Sequence, residues 1–453
     1  MEVTNTIESN DKLDMRKILP VFVIILIDLL GLTIIIPLMP FYAASYGADA
    51  SLIGLLGAVY PAAQFIGAPF LGRLSDRFGR KPVLIVSQIG TMLGFLLLGF
   101  ANALWMIFLA RLIDGLSGAN ISTAQAVISD STNEKTRTQG LGLVGAAFGI
   151  GFVFGPVIGF VALFLGQNNY HIPAFVSAFF SLVSILLTIF MLKETLSPEN
   201  KARSLTTKRE VSLKGFWEAM SKPLVGLLLV FMFFQQFAFG QFQQLLSLFT
   251  LNRLGMSASS NSILFVYVGI IIVAVQGYFI GKWSRKFGEI KLVRFGLSLL
   301  VVGLVLVAFT PRQPLPSYNQ QAVAAELSGG RTLPGETPPT QSLQVSLPPD
   351  GNKGLLGIGW LMLAMIPMAV GGGVLQPSIN SLLTRNVSPA EIGGTLGVSA
   401  ALLSGANALA PVAGGAVFQW LGSSVPFLFG AAIVAVMAVL AFTKLKPRPV
   451  EAR

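Results

Sequence analysis

Three charged residues stand inside runs that are otherwise apolar, and they are the side chains best placed to do chemistry. Asp28 interrupts the first such run, in Ile27-Asp28-Leu29-Leu30-Gly31. An ionised carboxylate at the centre of a bilayer costs about 2.5–3.5 kcal/mol on insertion scales, so it persists where it meets water or a partner. Asp28 is therefore a candidate proton carrier, with a structural carboxylate that fixes helix packing as the alternative. Further on, Arg111-Leu112-Ile113-Asp114-Gly115 sets a cation and a carboxylate three positions apart, on one face of a helix. That pair is either a local device that makes Arg111 tolerable in lipid or a second protonatable site. The chain has no cysteine and a single histidine, His171, in a short loop where it reads as an ordinary interfacial residue. Proton handling inside a membrane would thus fall to carboxylates.

These residues need elements to hold them, and the composition says which kind. With 453 residues, 53% hydrophobic and 11% charged, and a mean hydropathy of +0.72, the chain is too apolar to close one soluble core. A bilayer needs about 20 apolar residues per helix. Twelve stretches qualify, at approximately 18–40, 50–71, 83–101, 104–128, 140–165, 173–192, 223–251, 262–281, 291–310, 354–384, 392–419 and 424–443. The expected fold is an all-α membrane protein of twelve transmembrane helices. The net charge of +11 does not point to nucleic acid, because it follows the loops. With the N-terminus cytoplasmic, only Arg253, Arg312, Arg331 and Lys353 fall on the outer side and Arg111 lies in a helix, which leaves the remaining Lys and Arg inside. Residues 1–17 are polar and form a cytoplasmic segment with no removable signal peptide.

An internal repeat divides the spans. Gly72-Arg73-Leu74-Ser75-Asp76-Arg77-Phe78-Gly79-Arg80-Lys81 is echoed by Gly281-Lys282-Trp283-Ser284-Arg285-Lys286-Phe287-Gly288-Glu289-Ile290. The expected organisation is a six-helix half at 18–192, a basic cytoplasmic linker at 193–222, a second half at 223–443 and a cytoplasmic tail at 444–453. Gly72 aligns on Gly281, whereas Gly142 and Gly159 align on Gly397 and Gly414 at a larger offset, so the second half carries an insertion. It falls at 311–353, rich in Pro, Gln, Gly and Ser, and is expected to be a disordered outer loop.

The first copy of the repeat resembles, position by position, the cytoplasmic loop signature of the major facilitator superfamily, G-x-L-x-D-R-x-G-R-K. That resemblance implies two pseudo-symmetric six-helix halves with a substrate cavity between them, and a cytoplasmic gate at Gly72, Asp76, Arg77, Gly79 and Arg80. In the family the later arginine pairs with an acid at the inner end of the fourth helix, here Asp130. The repeat offsets carry Arg80 onto Glu289 and Asp130 onto Arg385, so a second pair of opposite polarity is expected. Both pairs are expected to stabilise the state closed to the cytoplasm. Gly31, Pro37 and Pro40 in the first span are similar to a signature of the twelve-helix drug/proton antiporters, and Asp28 looks like the acidic residue of tetracycline exporters. The resemblance implicates Arg111 in proton coupling; Asp114 stands where the family usually has glutamine. Gly151, Gly155, Pro156 and Gly159 resemble the antiporter helix signature, although Phe160 replaces its last glycine. On the residues alone, this strip is a packing and bending device.

Gln64, Asn120, Gln125, Phe233, Gln236, Gln243, Tyr267, Gln376 and Asn380 are the candidate cavity lining, within a wider set that includes Gln235, Phe239, Gln241, Gln244 and Asn407. Amides and aromatics suit amphipathic, polyfunctional molecules better than phosphates or dicarboxylates, which would demand fixed Arg or Lys. The expected activity is secondary active transport: a proton-coupled antiporter that exports drug-like small molecules by alternating access. It would be a monomer in the cell membrane with both termini cytoplasmic, drawing on the proton gradient and no cofactor or metal, with small-molecule substrate, protons and lipid as partners and no nucleic acid. A proton symporter or uniporter for a sugar or other metabolite is the alternative, and a non-transporting receptor or scaffold is the alternative of another class. An enzyme would need a converging nucleophile and base or a metal cluster, which the sequence does not offer.

Overall fold

In lipid each backbone amide must be satisfied within its own segment, so the apolar runs become helices. The computed structural model describes residues 15–118, 120–132, 137–196, 213–329, 345–388 and 391–445. Most of the expected N-terminal segment and tail, the middle of the linker, and residues 330–344 of the insertion lie outside them. The helices are α1 Met15–Ile35, α2 Met39–Ser45, α3 Ala50–Phe78, α4 Arg80–Gly99, α5 Leu104–Ser117, α6 Asn120–Asp130, α7 Arg137–Leu165, α8 His171–Met191, α9 Leu213–Ser221, α10 Pro223–Leu254, α11 Ala258–Ala274, α12 Ile280–Phe287, α13 Glu289–Ala308, α14 Gln320–Gly329, α15 Leu356–Arg385, α16 Ile392–Leu421 and α17 Val425–Lys444. A π-helical turn, Val275–Phe279, joins α11 to α12. Among the described residues, 11 helices are long and apolar enough to cross a membrane. The expected span at 104–128 appears instead as α5 and α6, 14 and 11 residues long.

Both breaks in the first half have local causes. Pro37 and Pro40 end the first span early and restart it as α2; the Pro37 carbonyl that the break leaves over accepts from Ser247 Oγ at 2.9 Å. The α5 break comes at Gly118, whose carbonyl accepts from Gln64 Nε2 at 2.7 Å. His171 is 1% exposed rather than interfacial, with Nδ1 at 2.9 Å from Tyr42 Oη and 3.0 Å from the Gly99 carbonyl.

Helix pairing repeats between the halves. In the first, α1 packs on α7 and α8, and α4 on α5 and α8; in the second, α10 packs on α16 and α17, and α13 on α15 and α17. The halves meet along α3 with α16 and along α7 with α11, two pairings that the repeat exchanges. The contact is uneven. At the end that carries the 46–49 loop, a Cβ on Gly54 would lie 2.8 Å from Gly415 Cα, and the Ala50 amide donates to Gln419 Oε1 at 3.2 Å. Toward the linker end, Gly72, Gly145, Gly277, Gly281 and Gly397 face open space. The molecule is closed at the loop end and open at the linker end.

The insertion departs from its expected disorder where it is described. Tyr318, Val323, Leu327 and Val345 are buried in one apolar cluster with Tyr42, Tyr46 and Tyr170, and α14 packs on α2. The Tyr318 ring lies against Gly255, in the left-handed conformation with φ 61°, where a side chain would collide with it. Tyr318 Oη donates to the Pro348 carbonyl at 2.7 Å. Four well-separated anchors, too sparse to form a sequence period, order this segment on a surface that the rest of the protein supplies.

Candidate functional site

Between the halves lies a cavity of about 460 Å³. Half of its amide groups come from α10, where Gln235, Gln236, Gln243 and Gln244 share the wall with Phe239 and Phe242, and the others are Gln64, Gln276, Gln376 and Asn407. Gln236 Nε2 donates to Asn407 Oδ1 at 2.8 Å, which fixes two of these amides against each other. Of the expected lining, Gln64, Gln236, Gln243 and Gln376 take part. Four others do not. Phe233 turns into a small cluster with Phe237, Ala406 and Ala410, because an aromatic at the edge of the face packs better on α16 than in an open space. Tyr267 donates to the Met362 carbonyl of α15 at 3.2 Å. Gln125 is exposed on α6, and Asn380 lies a turn beyond Gln376 on α15, off the cavity wall. The side chain of Asn120 is outside the described residues.

Arg111 is the charged residue in this wall. Its Nη1 donates to Asp114 Oδ2 at 2.7 Å, and both side chains are buried, 9% and 3% exposed. The guanidinium carbon also stands 4.5 Å from the centre of the Tyr60 ring, a cation–π contact strengthened by exclusion of water. Gly115 and Gly118 admit Tyr60 at this distance: a Cβ on Gly115 would lie 2.8 Å from Ala63 Cβ and one on Gly118 2.6 Å from Tyr60 Oη. Tyr60 thus stands against the Arg111–Asp114 pair, with Asp28 within electrostatic reach. Asp28 does not line the central cavity. It borders a separate space of about 10 Å³ with Val21, Leu84, Gln88, Ala124 and Leu192.

Gly151, Gly155 and Gly159 face α1. A Cβ on Gly155 would approach Thr33 Cβ to 2.7 Å, and one on Gly159 the Ile34 carbonyl to 3.1 Å. Pro156 follows inside α7. The opposite face of that helix gives Gly145 and Gly149 to the cavity, so the strip seats α7 on the helix that carries Asp28 and the cavity face stays shallow.

At the linker end Arg80 Nε lies 2.9 Å from Asp130 Oδ2 and Nη1 2.6 Å from Asp76 Oδ1. Arg385 Nη2 lies 2.8 Å from Glu289 Oε1. Both expected pairs exist, but each joins two helices of one half and each is formed with the linker end open. They are clasps within the halves, and the repeat copies contacts inside a half. Gly79, at φ 116°, is required twice, for its conformation and because a Cβ would crowd the carboxylate of Glu194. Glu194 accepts from the amides of Arg80 at 2.9 Å and Lys81 at 3.2 Å and so caps α4, a role with no signal in the sequence. Gly72 has open space around it, and Arg77 lies exposed over the Phe78 ring.

Tyr60 and Gln276 likewise gave no signal in the sequence. Tyr60 sits four residues before Gln64, and that spacing is the one available hint.

The Major Facilitator Superfamily profile matches residues 21–358. The chain is 33% identical over 324 residues to the class E tetracycline resistance protein of Escherichia coli, covering 70% of this chain and 78% of that one. It is 26% identical to multidrug resistance protein 1 of Bacillus subtilis (strain 168), over 94% of this chain and 95% of the other. Among solved structures, the human organic anion transporter MFSD10 (TETRAN) superposes with a TM-score of 0.64 at 22% identity, covering 94% of this chain and 99% of that one. A POT family transporter superposes with a TM-score of 0.70 at 13% identity, covering 94% and 95%. Likenesses of this degree concern the fold.

Proposed function

The chain belongs to the Major Facilitator Superfamily, and from that premise we propose that it is a proton-coupled antiporter that exports amphipathic, drug-like molecules by alternating access. The observation that carries this reading is the cavity of about 460 Å³ between two halves that touch at one end and part at the other, with the Arg111–Asp114 pair in its wall. The family relatives named for tetracycline and multidrug resistance support the drug-export direction. The amides and aromatic rings of the wall would hold a large, partly apolar solute without a fixed ion pair.

The concentration of basic residues at the linker end supports a cytoplasmic position for that end and for both termini. The open state would then receive substrate from the cytoplasm and the closed loop end would face outward. Rocking of the halves about α3/α16 and α7/α11 would expose the same cavity outside. Proton coupling would act through charge: Asp28 and Asp114 both bear on Tyr60, so protonating either changes the field at Arg111 in the substrate wall. The protein would work as a monomer, driven by the proton gradient without a cofactor.

The deciding experiment uses purified protein in proteoliposomes. The wild type should release protons on substrate addition and accumulate substrate against its gradient when a pH gradient is applied. Asp28→Asn should abolish gradient-driven transport while leaving insertion and substrate binding in place. Wild-type coupled rates in that variant would remove Asp28 from the mechanism, and a wild type with no proton movement would overturn the antiport reading.

A further inference from the structure

Asp28 borders a space that the substrate does not share, and the surroundings of that space are polar at one further point. Gln88, on α4, is fully buried. Its Nε2 donates to Ser184 Oγ at 2.7 Å, and Ser184 Oγ in turn donates to the Ile24 carbonyl at 3.2 Å. This chain fixes the amide: the serine proton is spent on α1, so the serine oxygen must accept the Gln88 amide hydrogen. Gln88 Oε1 is thereby turned away from Ser184, and it has no hydrogen-bond partner among the described residues. A buried acceptor left so is costly unless something donates to it. The cavity beside it, about 10 Å³, is close to the room one water needs, and Asp28 lines the same cavity.

We propose that this pocket is a single-water site between Asp28 and Gln88, through which Asp28 exchanges protons with the linker face by a route separate from the substrate cavity. The water would donate one hydrogen to Gln88 Oε1 and the other to the ionised Asp28 carboxylate; when Asp28 is protonated, the water would take its proton and release one toward the linker side as substrate enters from there. The position of the pocket fits that direction. Leu192 follows the last residue of α8, Leu84 lies in the second turn of α4, and Val21 lies early in α1, all toward the linker end. The α1, α4, α6 and α8 residues that line the pocket include no titratable group besides Asp28. Tyr60 of α3 lies outside that lining, in the wall of the central cavity beside Arg111 and within electrostatic reach of Asp28 and Asp114. Protons would therefore leave Asp28 on one side while substrate is sensed through Tyr60 from the other. Antiport benefits from that separation, because a filled substrate cavity does not then bar the proton path.

The inference rests on the proton-coupled reading above, and its test keeps the two apart. Gln88→Leu removes the acceptor at nearly constant volume, and Ala124→Leu fills the pocket without touching a polar group. In proteoliposomes each should slow proton-driven transport about tenfold and shift its pH profile, because the immobilised water is lost. Substrate binding and substrate–substrate exchange, which need no net proton transfer, should remain at wild-type levels. Gln88→Asn, which keeps an acceptor, should retain part of the coupled rate. If Ala124→Leu couples at the wild-type rate with an unchanged pH profile, the water site is not the proton route. Loss of exchange and coupling in equal measure in both variants would rule the route out as well. If the wild type itself moves no protons, the antiport reading fails first, and this inference with it.

Discussion

Arg111 is held from two directions, by the Asp114 carboxylate at 2.7 Å and by the Tyr60 ring at 4.5 Å, and both contacts lie out of water. Breaking a buried pair from one side leaves an uncompensated charge, so Arg111→Leu should destabilise the protein by about 3–5 kcal/mol. Arg111→Leu combined with Asp114→Asn removes both charges and should recover most of that loss without restoring coupled transport. Thermal unfolding in detergent, paired with the vesicle assay, separates the two effects; equal stability of the single and double variants would show that Asp114 is already neutral. At this scale the sequence revealed Asp28, Arg111 and Asp114, because a charge in an apolar run is conspicuous and a spacing of three is local. It could not reveal Tyr60. A tyrosine in a membrane helix is unremarkable until α3 and α5 are brought together, and the glycines that allow that approach are on the other helix. Gln88 was hidden for the same reason: its meaning depends on which way Ser184 turns it.

At the scale of elements, the periodicity and the helix-breaking residues carried most of the information. Spans, the repeat and the glycine strip of α7 were legible, and the structure adds that the strip meets α1 at Thr33 and Ile34. The order within the insertion was missed, since Tyr318, Val323, Leu327 and Val345 show no pattern until α2 and Gly255 receive them. That insertion carries its own pH response. Burial against α2 and α11 raises the Glu326 carboxyl from 4.5 to about 7, opposed by the Ala258 backbone amide; burial also raises the Tyr170 hydroxyl, and the Glu326 charge adds to that rise. A raised carboxyl favours the packed cap while it is protonated. The stabilisation is thus complete below the unfolded value of 4.5 and is lost as pH rises through about 7. Hydrogen exchange of residues 320–329 should quicken from pH 5 to pH 8 by more than the intrinsic chemistry accounts for, roughly in step with one titration. Glu326→Gln should remove that excess, and a wild-type excess that persists in the variant would place the response elsewhere.

For the whole molecule, the repeat explains both what the charges do and what they do not. Arg80 with Asp130 and Glu289 with Arg385 clasp helix ends inside a half; the first is mostly buried, and the second, with Arg385 66% exposed, is worth about 0–1 kcal/mol. They keep each half rigid as a rocking body, and the bias between states must come from contacts that cross the interface. Those contacts are at the loop end, where α3 meets α16 through Gly54, Gly415 and the Ala50–Gln419 hydrogen bond, and where Ser247 reaches Pro37. Close packing of backbones there cannot coexist with an outward opening, so the two ends must exchange contact during transport. Because the sequence contains no cysteine, that requirement can be tested cleanly. Ala50→Cys with Gln419→Cys should cross-link on oxidation. Cross-linking should stop transport in proportion to its yield, leave substrate binding from the linker side intact, and be reversed by reductant. Each single variant should transport with and without oxidant. Undiminished transport by the fully cross-linked protein would mean that the loop end need not part, and alternating access about this interface would be ruled out.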